Sequence, residues 1–251
     1  MKNSFGDRMK GYENVNRYYL TKRMPLIIRL DGVHFHTFTK GLDEPYDNYF
    51  CQAMQYTMGS LVEQISGAKF AYTQSDEISI LITDYDNLNT EPWFGKNLQK
   101  IVSVSSSLAT YYFNKHLDSI TRFLPPETPI VKAHQDKLAI FDARAFILPK
   151  DEVCNYFLWR ERDCIRNSIQ SAGHAHFSHS SLMNLNCDQI QEKLFSEKGI
   201  NWAHYPSFFK NGCCARKVDG RWELDYNIPV FSQDRNYINQ YVYLEEDKNE
   251  N

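Results

Sequence analysis

Two short acidic turns in this sequence carry residue types suited to phosphate chemistry. Asp31-Gly32 closes the apolar run Leu26-Ile27-Ile28-Arg29-Leu30, and Ser75-Asp76-Glu77 separates two further strand-like runs. Two carboxylates brought together suit Mg²⁺, a hard ion that keeps several waters and is usually held by one or two carboxylates plus substrate phosphates. A pair of such ions activates an attacking oxygen and neutralises a leaving pyrophosphate. Gly32 lets the backbone approach an ion closely, so its carbonyl is a further candidate ligand. Beyond it, Val33-His34-Phe35-His36 leaves the strand for a turn of helix, where backbone N–H groups could cradle a triphosphate. Each feature also has a plain reading. Asp-Gly is a common turn, a hairpin-tip Asp is usually solvated, and Phe35 and Phe38 would serve as core.

Asp31 and Asp76 are 45 residues apart, so topology must bring them together. The patterning predicts a helix over Ser4 to Thr21, then the buried strand ending at Asp31-Gly32. Asp47 caps a helix running to Ile65, with Phe50, Met54, Met58, Leu61 and Ile65 at helical spacing. Lys69–Gln74 and Ile78–Thr83 form a hairpin with an acidic tip. A helix over Trp93 to Leu117 follows, whose serines at 103–107 suggest close packing on a sheet, and then a strand over Leu138 to Leu148, ended by Pro149. This order is βαββαβ, an α+β chain with a ferredoxin-like polymerase palm. In that sheet the first strand sits beside the hairpin, and the two carboxylates converge.

Residues 1–150 are therefore expected to form a palm-like catalytic region. Residues 151–243 are expected to be a C-terminal extension of the same domain, with helices over Asp151 to Ser171 and Asn186 to Glu197 and a small hairpin from Arg216 to Arg221 around Asp219-Gly220. Residues 244–251 are read as a fraying acidic tail.

Composition narrows the function classes. The chain has 251 residues, with 42% hydrophobic and 24% charged, as in an ordinary globular protein. No run reaches the roughly 18–20 apolar residues of a membrane helix, so no membrane partner is expected. Met1 to Lys10 is polar and has no apolar signal core, and cytoplasm is the expected location. A net charge of −3 means that a polyanionic partner would need a local basic patch. The six cysteines show no C-x₂-C pair and read as reduced thiols of a cytosolic protein, with no zinc site or disulfide framework.

Several other residues invite a functional reading. Arg160, Arg162 and Arg166 lie on a predicted helix and could contact phosphates; the alternative is a solvated face paired with Glu161 and Asp163. Lys210, Arg216, Lys217 and Arg221 could add to a basic surface. His174, His176 and His179 form an H-x-H-x-x-H cluster without an evident fourth zinc ligand. Trp159 and Trp202 are expected in the core.

Taken in order, the motifs resemble the tRNA-His guanylyltransferase family. Arg29-Leu30-Asp31-Gly32-Val33-His34-Phe35-His36-Thr37-Phe38 is similar to its R-(L/I)-D-G-x-x-F-H-x-F motif, and Tyr72 to Ser79 resembles Y-x-Q-S-D-E-x-S. Phe141 to Arg144, Trp159 to Cys164 and Leu194 to Trp202 resemble later blocks, so the likeness spans about residues 5 to 218. It implies a nucleotidyltransferase that extends tRNA at its 5′ end, in the 3′–5′ direction. A 5′-monophosphate is activated with ATP or GTP, and the 3′-hydroxyl of an incoming NTP then attacks. By this likeness Asp31, the Gly32 carbonyl and Asp76 bind two Mg²⁺ ions. Arg29, the stretch Gly32 to His36, Ser75 and Asn201 contact nucleotide, and Arg160, Arg166, Asn167 and Lys210 are candidate tRNA contacts. A homotetramer is also implied.

Two departures bear on the branch. Where the family has H-I-N-N-L-Y-N, this chain has Ile165-Arg166-Asn167-Ser168-Ile169-Gln170-Ser171, which resembles the guanylyltransferase-like branch that repairs 5′-truncated tRNAs on a template. Templated repair is therefore expected ahead of dedicated G addition to tRNA-His. Glu44 stands where the family commonly has a basic residue, so either Lys40 or another lysine compensates or the triphosphate contacts are weaker. Two other classes remain as alternatives: a nucleotide cyclase on a palm, against which Gln74-Ser75-Asp76-Glu77-Ile78 replaces the cyclase G-G-D-E-F tip, and a non-catalytic tRNA-binding protein.

Overall fold

The computed structural model describes residues 4–244, so the expected tail, apart from Leu244, lies outside the described residues. Helix α1 (Ser4–Val15) is followed by strand β1 (Leu26–Gly32), a single turn α2 (Phe35–Phe38), helix α3 (Asn48–Gln64), strands β2 (Ala68–Gln74) and β3 (Glu77–Ile82), helices α4 (Leu98–Thr121) and α5 (Pro129–Asp136), and strand β4 (Phe141–Ile147). Beyond these come the long helix α6 (Lys150–His176), α7 (His179–Leu182), α8 (Cys187–Lys198), α9 (Ser207–Lys210), strands β5 (Cys213–Val218) and β6 (Arg221–Asp225), and α10 (Asn236–Asn239).

The strands form one antiparallel sheet in the order β4-β1-β3-β2-β5-β6. Its first four strands have the βαββαβ arrangement expected from the sequence. The small C-terminal hairpin extends this sheet, since Phe70 to Thr73 of β2 pair with Arg216 to Cys213 of β5. Its turn uses Asp219 (φ 50°) and Gly220 (φ 78°), the left-handed pair that a tight two-residue hairpin needs.

Both faces of the sheet are covered, which explains why β3 is buried at every position. Ile28, Leu30, Ile78, Ile80 and Ile82 pack on Met54, Met58 and Leu61 of α3 and on Phe113 and Leu117 of α4. Ile27, Phe70, Tyr72 and Leu81 point the other way, onto Val153 and Phe157 of α6 and onto Phe231 and Ile238 near the C-terminus.

Several expected boundaries move. α1 ends at Val15 and buries no residue. Trp93–Lys96 is a separate 3₁₀ turn with Phe94 and Gly95 in the left-handed region, and α4 begins after Asn97, whose side chain caps it by accepting from the Lys100 N–H. Of the serines at 103–107, only Ser105 is buried, so the expected small-residue packing reduces to one position. Helix α5 was not foreseen; it fills the stretch ahead of β4, which therefore starts at Phe141. Trp159 is 54% exposed, against its expected place in the core.

Glu161 of α6 is 1% exposed, and both of its carboxylate oxygens accept from the Phe231 N–H at 3.1 Å. Burial pushes its pKa up to about 7, an effect that this hydrogen bond and Arg162 only partly offset. A folded pKa above the unfolded one means that the contribution is full below the ordinary carboxylate range and is lost as pH rises through about 7. Thermal melting of the wild type should therefore fall between pH 5 and 8, by on the order of 3 kcal/mol at ~1.4 kcal/mol per pKa unit. In Glu161→Gln, which keeps an acceptor for Phe231, this part of the pH dependence should vanish.

Candidate active site

β1 and the β2–β3 turn bring Asp31 and Asp76 together at one end of the sheet. The Gly32 N–H donates to the Asp76 carbonyl at 3.2 Å, tying the end of the first strand to the hairpin tip. Ser75 turns the chain there in the left-handed region (φ 49°). Asp31 pairs in register with Glu77 on one side and Asp142 on the other. Strand alternation puts Asp142, Asp31, Glu77 and Gln74 in one row on the α6 face of the sheet.

Asp31 and Asp76 are both half-buried. The Asp31 carboxyl is pushed up by burial first and then by the charge of Asp142, with Arg29 and Arg160 opposing. The Asp76 carboxyl is pushed up by burial and then by Asp31. The nearby cations are committed to other carboxylates. Arg160 lies 2.8 Å and Arg29 4.0 Å from Glu77, and Arg144 lies 3.8 Å from Asp142. Two mutually repelling carboxylates that make no ion pair of their own among the described residues are suited to an added divalent cation. Among the described residues no three His, Cys, Asp or Glu gather into a metal-binding group. The residues present therefore fit Mg²⁺, which takes a pair of carboxylates and fills its shell with water and phosphate oxygens, and do not fit zinc. His174 and His179, of the suspected histidine cluster, instead stack with ring centroids 5.6 Å apart.

The segment after Gly32 differs in part from expectation. The Val33 N–H is spent on the Ile140 carbonyl at 2.8 Å and is not free for phosphate. His34 takes the left-handed conformation (φ 57°) and, with His36, is exposed, whereas the Phe35 side chain is core. The Phe35 ring packs on Phe141, Phe38, Phe113 and Phe50 with centroids 5.0–6.0 Å apart. A Cβ at position 32 would lie 2.2 Å from this ring, so the need for glycine there comes first from Phe35.

Next to the acidic pair lies a cleft of about 340 Å³ that includes Gln74 and Ser75 from the hairpin, Glu44 and Asp47 ahead of α3, and Asn167 and Ser171 from α6. Asp47 is 4% exposed; its Oδ1 caps α3 by accepting from the Tyr49 and Phe50 N–H groups, each at 2.9 Å. Among the described residues its Oδ2 has no hydrogen-bond partner. Sequence reading saw Asp47 as a helix cap and missed this second oxygen, which no local pattern signals. It likewise missed Asp142, although Phe141-Asp142-Ala143-Arg144 had been noted as a motif.

The outlying candidates separate. Asn167 lines the cleft, and Arg166 is exposed and paired with Asp163. Arg160 is 6% exposed and bound to Glu77 and Asp163, so the expected RNA contact is corrected: the guanidinium is withdrawn from solvent. Lys210 donates to the Ala203 carbonyl and sits over the Trp202 ring. Asn201 accepts from the Ala203 N–H at 2.9 Å, capping the turn Trp202–His204, and lines a separate depression with Asp188, Gln191 and Phe195, not the cleft. Arg29 is half-buried beneath Asp31 and directed at Glu77, with its Nε lacking a hydrogen bond among the described residues.

Comparison with known proteins agrees with this fold. The family model described as tRNAHis guanylyltransferase, Thg1, matches residues 6–149. A solved bacterial Thg1-like protein in complex with ATP is 48% identical, with a TM-score of 0.87, covering 96% of this chain and 100% of its own. Another, in complex with GTP, is 43% identical at a TM-score of 0.77, again covering 96% and 100%. The tRNA(His) guanylyltransferase of Debaryomyces hansenii is 27% identical over 219 residues, 81% of this chain and 77% of its own.

Gly32→Ala should lower stability by about 1–3 kcal/mol, the usual cost of overpacking, as read by denaturant melting. Adding Phe35→Leu should recover part of that loss if the ring is the obstacle.

Proposed function

The chain belongs to the tRNAHis guanylyltransferase (Thg1) family of nucleotidyltransferases, and from that premise we propose that it adds nucleotides to tRNA 5′ ends in the 3′–5′ direction, by templated repair of truncated tRNA. The observation that carries this reading is the pairing of Asp31 with Asp76 beside a cleft that begins at Ser75. In the first step a 5′-monophosphate oxygen attacks the α-phosphorus of ATP or GTP, and pyrophosphate leaves. In the second, the 3′-hydroxyl of an incoming NTP attacks the activated 5′-phosphorus, and the activating nucleoside monophosphate leaves. Where the 5′ end already carries a triphosphate, pyrophosphate is the leaving group of this second step.

In this proposal Asp31, Asp76 and the Gly32 carbonyl would hold two Mg²⁺ ions, which would supply positive charge to the attacking oxygen and to the leaving phosphate. Ser75, at the mouth of the cleft, orients the triphosphate with the backbone of His34 to His36, since the Gly32 and Val33 N–H groups are bonded to Asp76 and Ile140. The unpartnered Asp47 Oδ2 is an acceptor suited to a base amino group, since a buried acceptor left unmade is costly. Asn167 at the cleft wall and exposed Arg166 face the RNA, and Asn201 and Lys210 meet it from the surface around Trp202.

Arg166-Asn167-Ser168-Ile169, standing where the family has H-I-N-N-L-Y-N, supports the repair branch. Among the described residues no helix is long and apolar enough to cross a membrane. The proposed enzyme is a homotetramer, as the family resemblance implies, and the polar stretch Met1 to Lys10 supports a cytoplasmic location.

The test supplies tRNA lacking its 5′-terminal nucleotide and bearing a 5′-monophosphate, beside full-length tRNA-His, with Mg²⁺, ATP and the four NTPs. The expected result is restoration of the templated nucleotide, with little G added to tRNA-His and no addition by Asp76→Asn or in excess EDTA. Preferential G addition to tRNA-His would replace the repair assignment with dedicated guanylylation. A cyclic product from GTP alone, or tight tRNA binding without turnover, would overturn the proposal. Asp47→Asn keeps the cap on α3 but turns the free acceptor into a donor; it should raise the KM for the added nucleotide about 10- to 100-fold with little change in melting temperature, as measured by steady-state kinetics.

A further inference from the structure

Glu77 sits where a third carboxylate ought to disturb the cation site. It opens β3 directly after Asp76 and pairs across the sheet with Asp31 and with Gln74. Side chains directly opposite on antiparallel strands lie roughly 4.5–5.5 Å apart at Cβ, where like charges repel. Glu77 is nevertheless 4% exposed, with its carboxylate turned onto α6. There the Arg160 Nε donates to Oε1 at 2.8 Å, and the Ser79 hydroxyl donates to the same oxygen at 3.3 Å. Ser79 is in turn hydrogen-bonded to the Tyr156 hydroxyl at 2.7 Å. Arg29 stands 4.0 Å from Oε2, too far for a direct hydrogen bond. Arg160 is itself held, since its Nη2 donates to Asp163 at 2.7 Å and Asp163 also binds Arg166.

Resting on the cation-site reading above, we infer that Arg160 is a positioning residue for the reaction: it holds the Glu77 carboxylate against α6, leaving the cation to Asp31 and Asp76 and fixing the hairpin tip that carries Asp76. Asp76 and Glu77 share a peptide bond, so a Glu77 side chain locked to a helix restrains the backbone on which the metal-holding carboxylate stands. A Glu77 freed from Arg160 would be able to turn towards the cation and spoil its geometry. A lysine at position 160 would keep the charge but present a point contact in place of the fork that reaches Glu77 and Asp163 together.

The test is Mn²⁺ binding to the full chain, followed by electron paramagnetic resonance without nucleotide or RNA, beside thermal melting. Asp76→Asn should abolish tight binding. Arg160→Lys should weaken it about 10- to 100-fold, the usual effect of losing a group that orients a metal ligand, and should raise the Mg²⁺ needed for turnover by a like factor. Arg160→Met alone leaves Glu77 unpaired and risks misfolding, so it is compared through Glu77→Gln: adding Arg160→Met to Glu77→Gln should change Mn²⁺ affinity less than twofold, because the carboxylate to be held is gone. Wild-type Mn²⁺ affinity in Arg160→Lys, with or without a lower melting temperature, would reduce Arg160 to a structural ion pair and overturn the inference while the cation site stands. Wild-type affinity in Asp76→Asn would overturn the cation site itself and the inference with it.

Discussion

Asp142, Asp31 and Glu77 stand side by side on three adjacent strands, and most of the architecture at this end of the sheet follows from keeping that row of negative charge in place. Like charges directly opposite on neighbouring strands are destabilising. Each carboxylate is handled differently. Asp142 is exposed and rests 3.8 Å from Arg144. Glu77 is buried and bound to Arg160, a kind of pair whose breakage typically costs about 3–5 kcal/mol because a buried charge is left behind. Asp31 keeps no such partner, and its carboxyl is held above the usual range by burial and by Asp142. The local arginines thus make their ion pairs with Glu77 and Asp142, and the proposed cation site at Asp31 and Asp76 is left without an ion pair among the described residues.

The two cores have distinct tasks around this row. The α3–α4 side supplies an aromatic cluster around Phe35, which locks the chain just after Asp31 and leaves no room for a side chain at position 32. Behind it, α5 and the chain to β4 brace the same segment. Lys137 donates to the Thr37 carbonyl at 2.5 Å, and Asn114 of α4 bonds both the Ala139 N–H and its carbonyl. The α6 side supplies the charged and hydroxyl groups that face the row, Arg160 and Tyr156 among them. The sheet is in effect apolar on one face and becomes polar towards one end of the other. That end is where α6 and the segment ahead of α3 leave a cleft.

Much of this was legible in the residues. Asp31 and Asp76 could be read because each ends or links an apolar run whose period fixes a strand, and because strand, helix, hairpin, helix, strand has few ways to close. Asp47 as a helix cap and Asp219-Gly220 as a hairpin turn were readable for the same reason: a cap or turn is chemistry between residues two to four apart. Helix α5 was not, because its eight residues are too few for periodicity to stand out, and its place is set by α4 and β4.

The sequence by itself determined which strands carry the acidic pair and that their chemistry suits phosphate and a hard cation, since residue type and spacing along one segment carry that information. Only the tertiary structure decided what each charge is for. Arg160 looked like an RNA-facing arginine on a helix and proved to be the buried partner of Glu77, 83 residues away. Asn201 looked like a site residue and came to rest beside α8, outside the cleft, whereas Asp47 looked like a cap and carried an unpartnered oxygen to the cleft wall. A charge becomes a ligand, a lock or a surface group according to its burial and its distance to the nearest opposite charge. Both are fixed by how distant segments pack, which no local pattern records.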